Sequence, residues 1–391
     1  MSQSLHDPSA THLRTLLARG GSSALEAFGA EAAPVRPDDI VGRVEDIFSR
    51  MPPEDVGDPR EFRQALDTML RATSRAARVL TTARPLSPGD VSALEAVVIT
   101  DGTRPTLLLR DDAFDPQHPL AGTWTDSLAV VQTDLGEIAK AVGRIEPDHA
   151  TARSFFGTGW VIDTDRGLVL TNLHVLEQIW RSLPDVVVRA GAGYRILDGV
   201  YIDFVREATR TRTSRFRVVE ATPSGIDGAN YARLDAAVLR IEPTEEGQVV
   251  PKAIPVKPDP DGPLGNLEAI YVLGFPGPPS STTGRDREGV DWAQIYRVLF
   301  GNLFGVKRLA PGTVHRPVGS MNGDTRHWVF GHDATTLSGC SGSPTLALVD
   351  GVLTAFGLHF AGTTESTNYA HAFSAGATEL AAIGVPLGLP N

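Results

Sequence analysis

From Gly143 onward the sequence is cut into short apolar runs by glycine and proline, and this punctuation limits the fold more than any other feature. Residues 159–163, 168–171, 236–241, 269–273, 294–300 and 352–360 each have the length of a strand, with turn residues between them. Many short strands spaced in this way predict a β-barrel or sandwich. The 39 glycines and 28 prolines among 391 residues supply the turns, and an all-helical chain would not carry so many. A hydrophobic fraction of 41% is enough for a substantial core. No apolar run nears the ~20 residues of a membrane span.

The first 85 residues keep a different period. Ile40, Val41, Val44, Ile47, Phe48 and Met51 recur at helical spacing behind Asp38 or Asp39 as cap, until Pro52 and Pro53 stop them. Asp58-Pro59 opens a second run through Phe62, Leu66, Met69 and Leu70 to Val79 and Leu80. A small amphipathic bundle is expected over 1–85, a regulatory or adaptor unit able to take a protein partner. Residues 84–89 (Arg-Pro-Leu-Ser-Pro-Gly) mark a joint. Runs at 96–100 and 105–109 around Asp101-Gly102 predict a β-hairpin inside a linker over 86–126. A further helix is expected over 127–142, at the start of a domain over 127–391, and a terminal one over 374–383 capped by Ser374.

The opening residues up to Leu17 include Asp7, His12 and Arg14 with no continuous apolar stretch, which argues against a secretory leader. One cysteine, Cys340, permits no intrachain disulfide. That fits a reducing compartment, and the cytoplasm is the expected location. A formal charge of −11 disfavours nonspecific nucleic-acid binding. The one basic stretch, five arginines within 206–217, reads as a solvated surface or a contact for an anionic partner. No His-Glu-x-x-His pair, P-loop or dinucleotide fingerprint occurs, so neither metal nor cofactor is expected.

Three segments carry groups suited to chemistry. Residues 168–175 (Leu-Val-Leu-Thr-Asn-Leu-His-Val) deliver His174 just past a strand, at a rim where a general base can meet a substrate. Residues 234–239 (Leu-Asp-Ala-Ala-Val-Leu) place Asp235 at the entrance of an apolar strand, where its carboxylate can hold an imidazole in one tautomer. Residues 338–344 (Ser-Gly-Cys-Ser-Gly-Ser-Pro) can turn tightly enough to expose the Ser341 oxygen and aim N–H groups at one point, with Gly339 and Ser341 as the donors of an oxyanion hole. Each segment alone is unremarkable; together, in the chain order His, Asp, Ser, they are not.

These motifs resemble the bacterial trypsin-like peptidases of the chymotrypsin clan, over roughly residues 130–385. The resemblance implies a mainly β, chymotrypsin-like double β-barrel preceded by the small helical domain, acting on a protein or peptide substrate. The first barrel would bring His174 and Asp235, and the second Ser341. Where the family usually has Asp or Asn before the nucleophile, this chain has Cys340. Cys340 as the nucleophile itself, as in viral cysteine enzymes of this fold, is an alternative. A latent or inactive binding scaffold is another. The N-terminal helices loosely resemble adaptor domains found before bacterial effector enzymes, which implies a regulated or defence-related proteolytic system.

Residues 357–362 (Gly-Leu-His-Phe-Ala-Gly) resemble the Gly-x-His-x-x-Gly segment of glutamyl endopeptidases and picornaviral processing proteases. The resemblance implies that His359, as a protonated donor, and Thr336 read a Glu, Gln or Asp side chain at P1. Thr335 stands where a lysine- or arginine-selecting enzyme needs a carboxylate, so a basic P1 is not expected.

Overall fold

The computed structural model describes residue 17 and residues 37–80, 86–210, 212–225, 234–258, 269–279, 285–321, 323–362 and 367–387. The leader expectation lies outside these residues except at Leu17, as do Arg84 and Pro85 of the expected joint.

Between residues 37 and 100 the described residues form the helices α1 Pro37–Ser49, α2 Pro53–Val56, α3 Pro59–Leu80 and α4 Pro88–Thr100. Each begins at a proline, whose fixed φ suits the first helical position and whose missing N–H is no loss there. Helix α4 replaces the first arm of the expected hairpin. Ser87 Oγ accepts from the Asp90 amide at 3.2 Å and Asp90 accepts from the Ser87 amide at 2.9 Å, a reciprocal cap that starts the helix. Its β-branched end, Val97-Val98-Ile99-Thr100, looks like a strand in sequence. Leu94, Ala96, Val97 and Val98 are all buried, so no polar face marks the helical period.

A second correction falls on residues 294–300, expected as a strand: they lie largely within a helix that runs over Trp292–Leu299. Asp291 caps it through the Gln294 amide at 3.0 Å. Its Trp292, Ile295, Val298 and Leu299 enter one core with Ile40, Val44, Phe62, Met69, Leu94 and Val97. The helical layer is therefore built from two segments far apart in the sequence.

The first barrel uses β2 Val142–Pro147, β3 Gly157–Asp163, β4 Leu168–Thr171, β7 Val200–Asp203, β8 Arg215–Pro223 and β9 Ala237–Pro243. Their order is β8-β7-β2-β3-β4-β9, and pairing of β8 with β9 closes the ring. Strands β5 Val187–Ala190 and β6 Gly193–Ile196 extend it from β8. The second sheet runs β1-β11-β10-β14-β15-β16-β13-β12. Its strands are β1 Leu107–Leu108, β10 Ile270–Gly274, β11 Arg308–Gly312, β12 Val314–Arg316, β13 Val329–His332, β14 Pro344–Val349, β15 Val352–Gly362 and β16 Asn368–Ala372. Strand β12 continues from β11 across Thr313, so one stretch of chain pairs with β10 by its first half and with β13 by its second. The expected mainly β, chymotrypsin-like architecture behind N-terminal helices is what forms, with one closed six-stranded barrel and a half-barrel in place of two closed barrels.

The helix expected over 127–142 spans Thr125–Ala139, and the terminal helix spans Ala377–Ala382 with Gly376, not Ser374, at its cap. Leu107, Leu109, Phe114 and Trp124 belong to the same core as Trp160 and Leu170, so much of the expected linker is barrel interior. Among the arginines of 206–217, Arg206 pairs with Glu146, Arg210 with Asp111, Arg215 with Asp148 and Arg217 with Glu242. Four of its five arginines are thus held by the protein's own carboxylates. Among the described residues, no helix is long and apolar enough to cross a membrane.

Candidate active site

Antiparallel pairing of β4 with β9 sets Thr171 opposite Ala237. His174 lies three residues beyond Thr171 and Asp235 two before Ala237, so both leave the sheet at the same end. Asn172 follows the strand in extended conformation and stands at the N-cap position of a helix over Leu173–Ser182, which carries His174 in its first turn. The Asn172 amide group donates to the Asp235 carbonyl at 2.8 Å. The His174 backbone N–H donates to Asp235 Oδ1 at 2.9 Å, and His174 Nδ1 lies 2.6 Å from Oδ2. A carboxylate only accepts, so Nδ1 carries the proton and Nε2 keeps its lone pair for the cleft.

Burial acts to raise the Asp235 pKa, but the hydrogen bonds from His174 and the charges of His174 and His371 bring it below its ordinary value. The carboxylate is therefore ionised across the neutral range. Its side chain is 17% exposed against 37% for the His174 ring, the exposure expected of an inner and an outer partner.

Ser341 sits on a loop that the first barrel holds in place. Thr158 of β3 donates its amide to the Ser341 carbonyl at 2.9 Å and its hydroxyl to the Gly339 carbonyl at 2.9 Å. Thr171 in turn donates its hydroxyl to the Thr158 carbonyl at 2.7 Å. Gly342, at φ 89°, allows this approach: a Cβ there would lie 2.0 Å from the Thr158 oxygen. At Gly157 a Cβ would lie 2.8 Å from Val175, the neighbour of His174, and 3.0 Å from the Ser341 carbonyl oxygen. The two segments thus converge on the same strand. Among the described residues no direct hydrogen bond joins the Ser341 hydroxyl to the His174 ring; such contacts often tighten only with substrate present.

The amides of Cys340, Gly342 and Ser343 are spent on Leu337, His359 and Cys340 carbonyls. Those of Gly339 and Ser341 are not among the paired backbone groups of the described residues, as donors of an oxyanion hole require. The Cys340 side chain is buried, and burial pushes its thiol up to about 12. It is neither exposed nor ionised at neutral pH.

The expected pocket residues separate into two groups. Thr336 Oγ1 donates to Asn368 Oδ1 at 2.7 Å, and Asn368 donates to the Ala334 carbonyl at 2.8 Å. Gly362 lies against them, since a Cβ there would come within 2.2 Å of Asn368 Oδ1. Thr335, by contrast, donates its hydroxyl to the Arg104 carbonyl at 2.6 Å, which directs it to the N-terminal side. His359 is buried on β15, its carbonyl accepting from the Gly342 amide at 2.9 Å. Its Nδ1 lies 3.2 Å from His332 Nε2. Burial, with the charge of His174, lowers the pKa of His359 to about 3.

Sequence reasoning assigned nothing to His371, yet its Nε2 accepts the Asp235 amide at 3.1 Å. Its ring stacks on Phe360, with centroids 4.3 Å apart. A lone histidine in an Ala-rich strand offers no local signal for such a contact. Among the described residues, no group of three or more His, Cys, Asp and Glu side chains is arranged to hold a metal ion.

The family described as "Trypsin-like peptidase domain" matches residues 157–355 of this chain. A Lysobacter enzymogenes protein named as a probable serine protease is 40% identical over 360 residues, spanning 91% of this chain and 92% of its own. Among solved structures, Rv3671c of M. tuberculosis superimposes with a TM-score of 0.35 at 19% identity, over 66% of this chain and 92% of that one. The Vibrio cholerae VesB protease does so with a TM-score of 0.39 at 12% identity, over 61% and 62%. Both superpositions are loose.

Proposed function

This chain belongs to the trypsin-like serine peptidases, and on that premise we propose that it cleaves peptide bonds through a triad of His174, Asp235 and Ser341. The contact that carries the proposal is His174 Nδ1 to Asp235 Oδ2 at 2.6 Å, with the Ser341 loop docked on the same barrel through Thr158. His174 Nε2 takes the proton as Ser341 Oγ attacks the scissile carbonyl, and Asp235 stabilises the imidazolium so formed. The Gly339 and Ser341 amides receive the developing oxyanion. His174 then protonates the leaving amine, and water hydrolyses the acyl-enzyme by the same steps in reverse order. Buried, protonated Cys340 does not compete for the nucleophile's role.

The proposal extends to P1, where Glu, Gln or Asp is read by His359 and Thr336. The support is a tautomer argument. If His332 Nε2–H donates to His359 Nδ1, His359 Nε2 must carry a proton and can donate it to a P1 carboxylate or amide oxygen. The cost is a buried His332 Nδ1 lone pair without a partner, milder than a stranded N–H. A cytoplasmic location remains part of the proposal, resting on the single unpaired cysteine.

A fluorophosphonate probe tests the core of this reading, because it labels a serine only where a triad has activated it. Labelling at Ser341 that is lost in Ser341→Ala supports a working enzyme. A folded chain that never labels is instead the inactive scaffold.

A further inference from the structure

Arg104 lies just beyond helix α4, with its guanidinium buried against residues 313 and 333 beside the second sheet. It meets Asp333 Oδ2 at 2.6 Å, the two side chains being 7% and 1% exposed. The same nitrogen reaches Thr313 Oγ1 at 3.2 Å, and the other terminal nitrogen donates to the Thr103 carbonyl at 2.7 Å. The guanidinium carbon stands 5.2 Å from the centre of the Trp124 ring. Asp333 is tied from its other side as well, because Oδ1 accepts the Thr313 amide at 2.6 Å. The Arg104 backbone adds a second tie: its carbonyl accepts the Thr335 hydroxyl at 2.6 Å.

We infer that Arg104 is a positioning residue for the substrate pocket, and that through it the N-terminal helices set the pocket's shape. Residues 332–336 carry both proposed reading devices, Thr336 directly and His332 as the support of His359. Asn368 holds this segment on the pocket side through Thr336 and Ala334. Arg104 holds it on the opposite side through Asp333 and Thr335. On the helical side, the Arg104 amide donates to the Val98 carbonyl at 2.6 Å. Asp101, which accepts the Thr103 amide at 3.0 Å, also receives Arg43 of α1 at 3.1 Å. An unbroken set of polar contacts therefore runs from α1 and α4 to the wall of the pocket. A buried ion pair is a poor source of net stability but a good means of fixing one geometry. A partner that shifts the helices would move this segment without touching His174 or Asp235.

The inference rests on the proposed peptidase reading, and its test is arranged so that the two fail separately. Three full-length proteins are compared: wild type, Thr335→Val, and the double variant Arg104→Met with Asp333→Leu. Thr335→Val keeps the shape and deletes one hydroxyl. The double variant removes both charges together, so neither is left orphaned in the interior. Each is measured for kcat and KM on a peptide series and for the rate of labelling by a small fluorophosphonate, which does not need the pocket. The expected result is a KM raised between about three- and ten-fold in Thr335→Val, the scale of one lost hydrogen bond, and more in the double variant. The labelling rate should stay within about two-fold of wild type, since the probe reads the triad alone. Equal KM values in all three folded proteins overturn the inference. So does a parallel fall in labelling and turnover that tracks loss of folded protein, the mark of a merely structural pair. A wild-type chain that does not label overturns the peptidase reading, and this inference with it.

Discussion

The amide of Thr158, on the closed barrel, holds the carbonyl of Ser341, on the loop before β14 of the second sheet, at 2.9 Å. The nucleophile loop is therefore positioned by the barrel that also carries His174. The Thr158 hydroxyl adds the contact to the Gly339 carbonyl, next to a proposed oxyanion donor. Thr158→Val leaves the backbone bond and removes that second contact. It should lower kcat by about ten- to hundred-fold, less than loss of an oxyanion donor itself, with little change in melting temperature. An unchanged kcat would separate the Gly339 carbonyl from catalysis.

Ser341→Ala should abolish peptide hydrolysis in a folded protein. Cys340→Ala should retain most activity and lose roughly 1 kcal/mol of stability, as a small buried side chain is truncated. Assays of both variants, with thermal melts alongside, check this. Activity that survives the first and disappears with the second transfers the nucleophile's role to Cys340.

Asp235→Asn should fold and lose activity by about 10⁴, because an amide can donate to Nδ1 and so favours the wrong tautomer. Steady-state rates above pH 7 are the measurement. A loss below ten-fold would remove Asp235 from the mechanism.

His359→Ala should depress kcat/KM for Glu and Gln substrates far more than for small apolar ones. Because the free His359 has a pKa of about 3, it donates as a neutral imidazole at neutral pH. The ratio of kcat/KM for Glu to that for Gln should therefore change less than about three-fold between pH 6.5 and 8.5. A ratio that falls steeply as pH rises would instead show a protonated ring in the complex.

The buried histidines also set the acid limit of stability. Burial lowers the pKa of His359 to about 3, of His371 to about 4 and of His332 well below its ordinary 6.5. Unfolded histidine takes up a proton near 6.5, so between that value and the folded ones the unfolded chain binds more protons and stability falls as pH drops. At pH 5 each such group costs up to about 2 kcal/mol. His371→Gln removes one titrating ring while keeping an acceptor for the Asp235 amide. Its melting temperature should drop less between pH 7 and pH 5 than that of the wild type, and an identical drop would count against the assignment.

What the sequence disclosed and what it hid follow from how far each signal extends along the chain. The segments around His174, Asp235 and Ser341 are legible because strand, turn and reactive group lie within a few residues of one another. The end of helix α4 reads as a strand because burial on several sides removes the polar face that marks a helix. The helix over Trp292–Leu299 keeps an exposed Gln294, but at eight residues it is too short for its period to stand out from a strand-length apolar run. The Arg104–Asp333 pair spans 229 positions, and neither residue stands in a motif. His371 meets Asp235 across 136 positions, for the same reason beyond the reach of local pattern.

The helix over Trp292–Leu299 has a consequence for biosynthesis. Ile40, Val44, Met69, Leu94 and Val97 share their core with Ile295 and Val298, so the helical layer stays unfinished until the chain as far as Leu299 has left the ribosome. Its apolar face then waits, at ~5–20 residues per second, for a partner that arrives late. Nascent chains stalled before Trp292 should accordingly be the ones that bind holdase chaperones and yield to proteases, while those released beyond Leu299 should resist both.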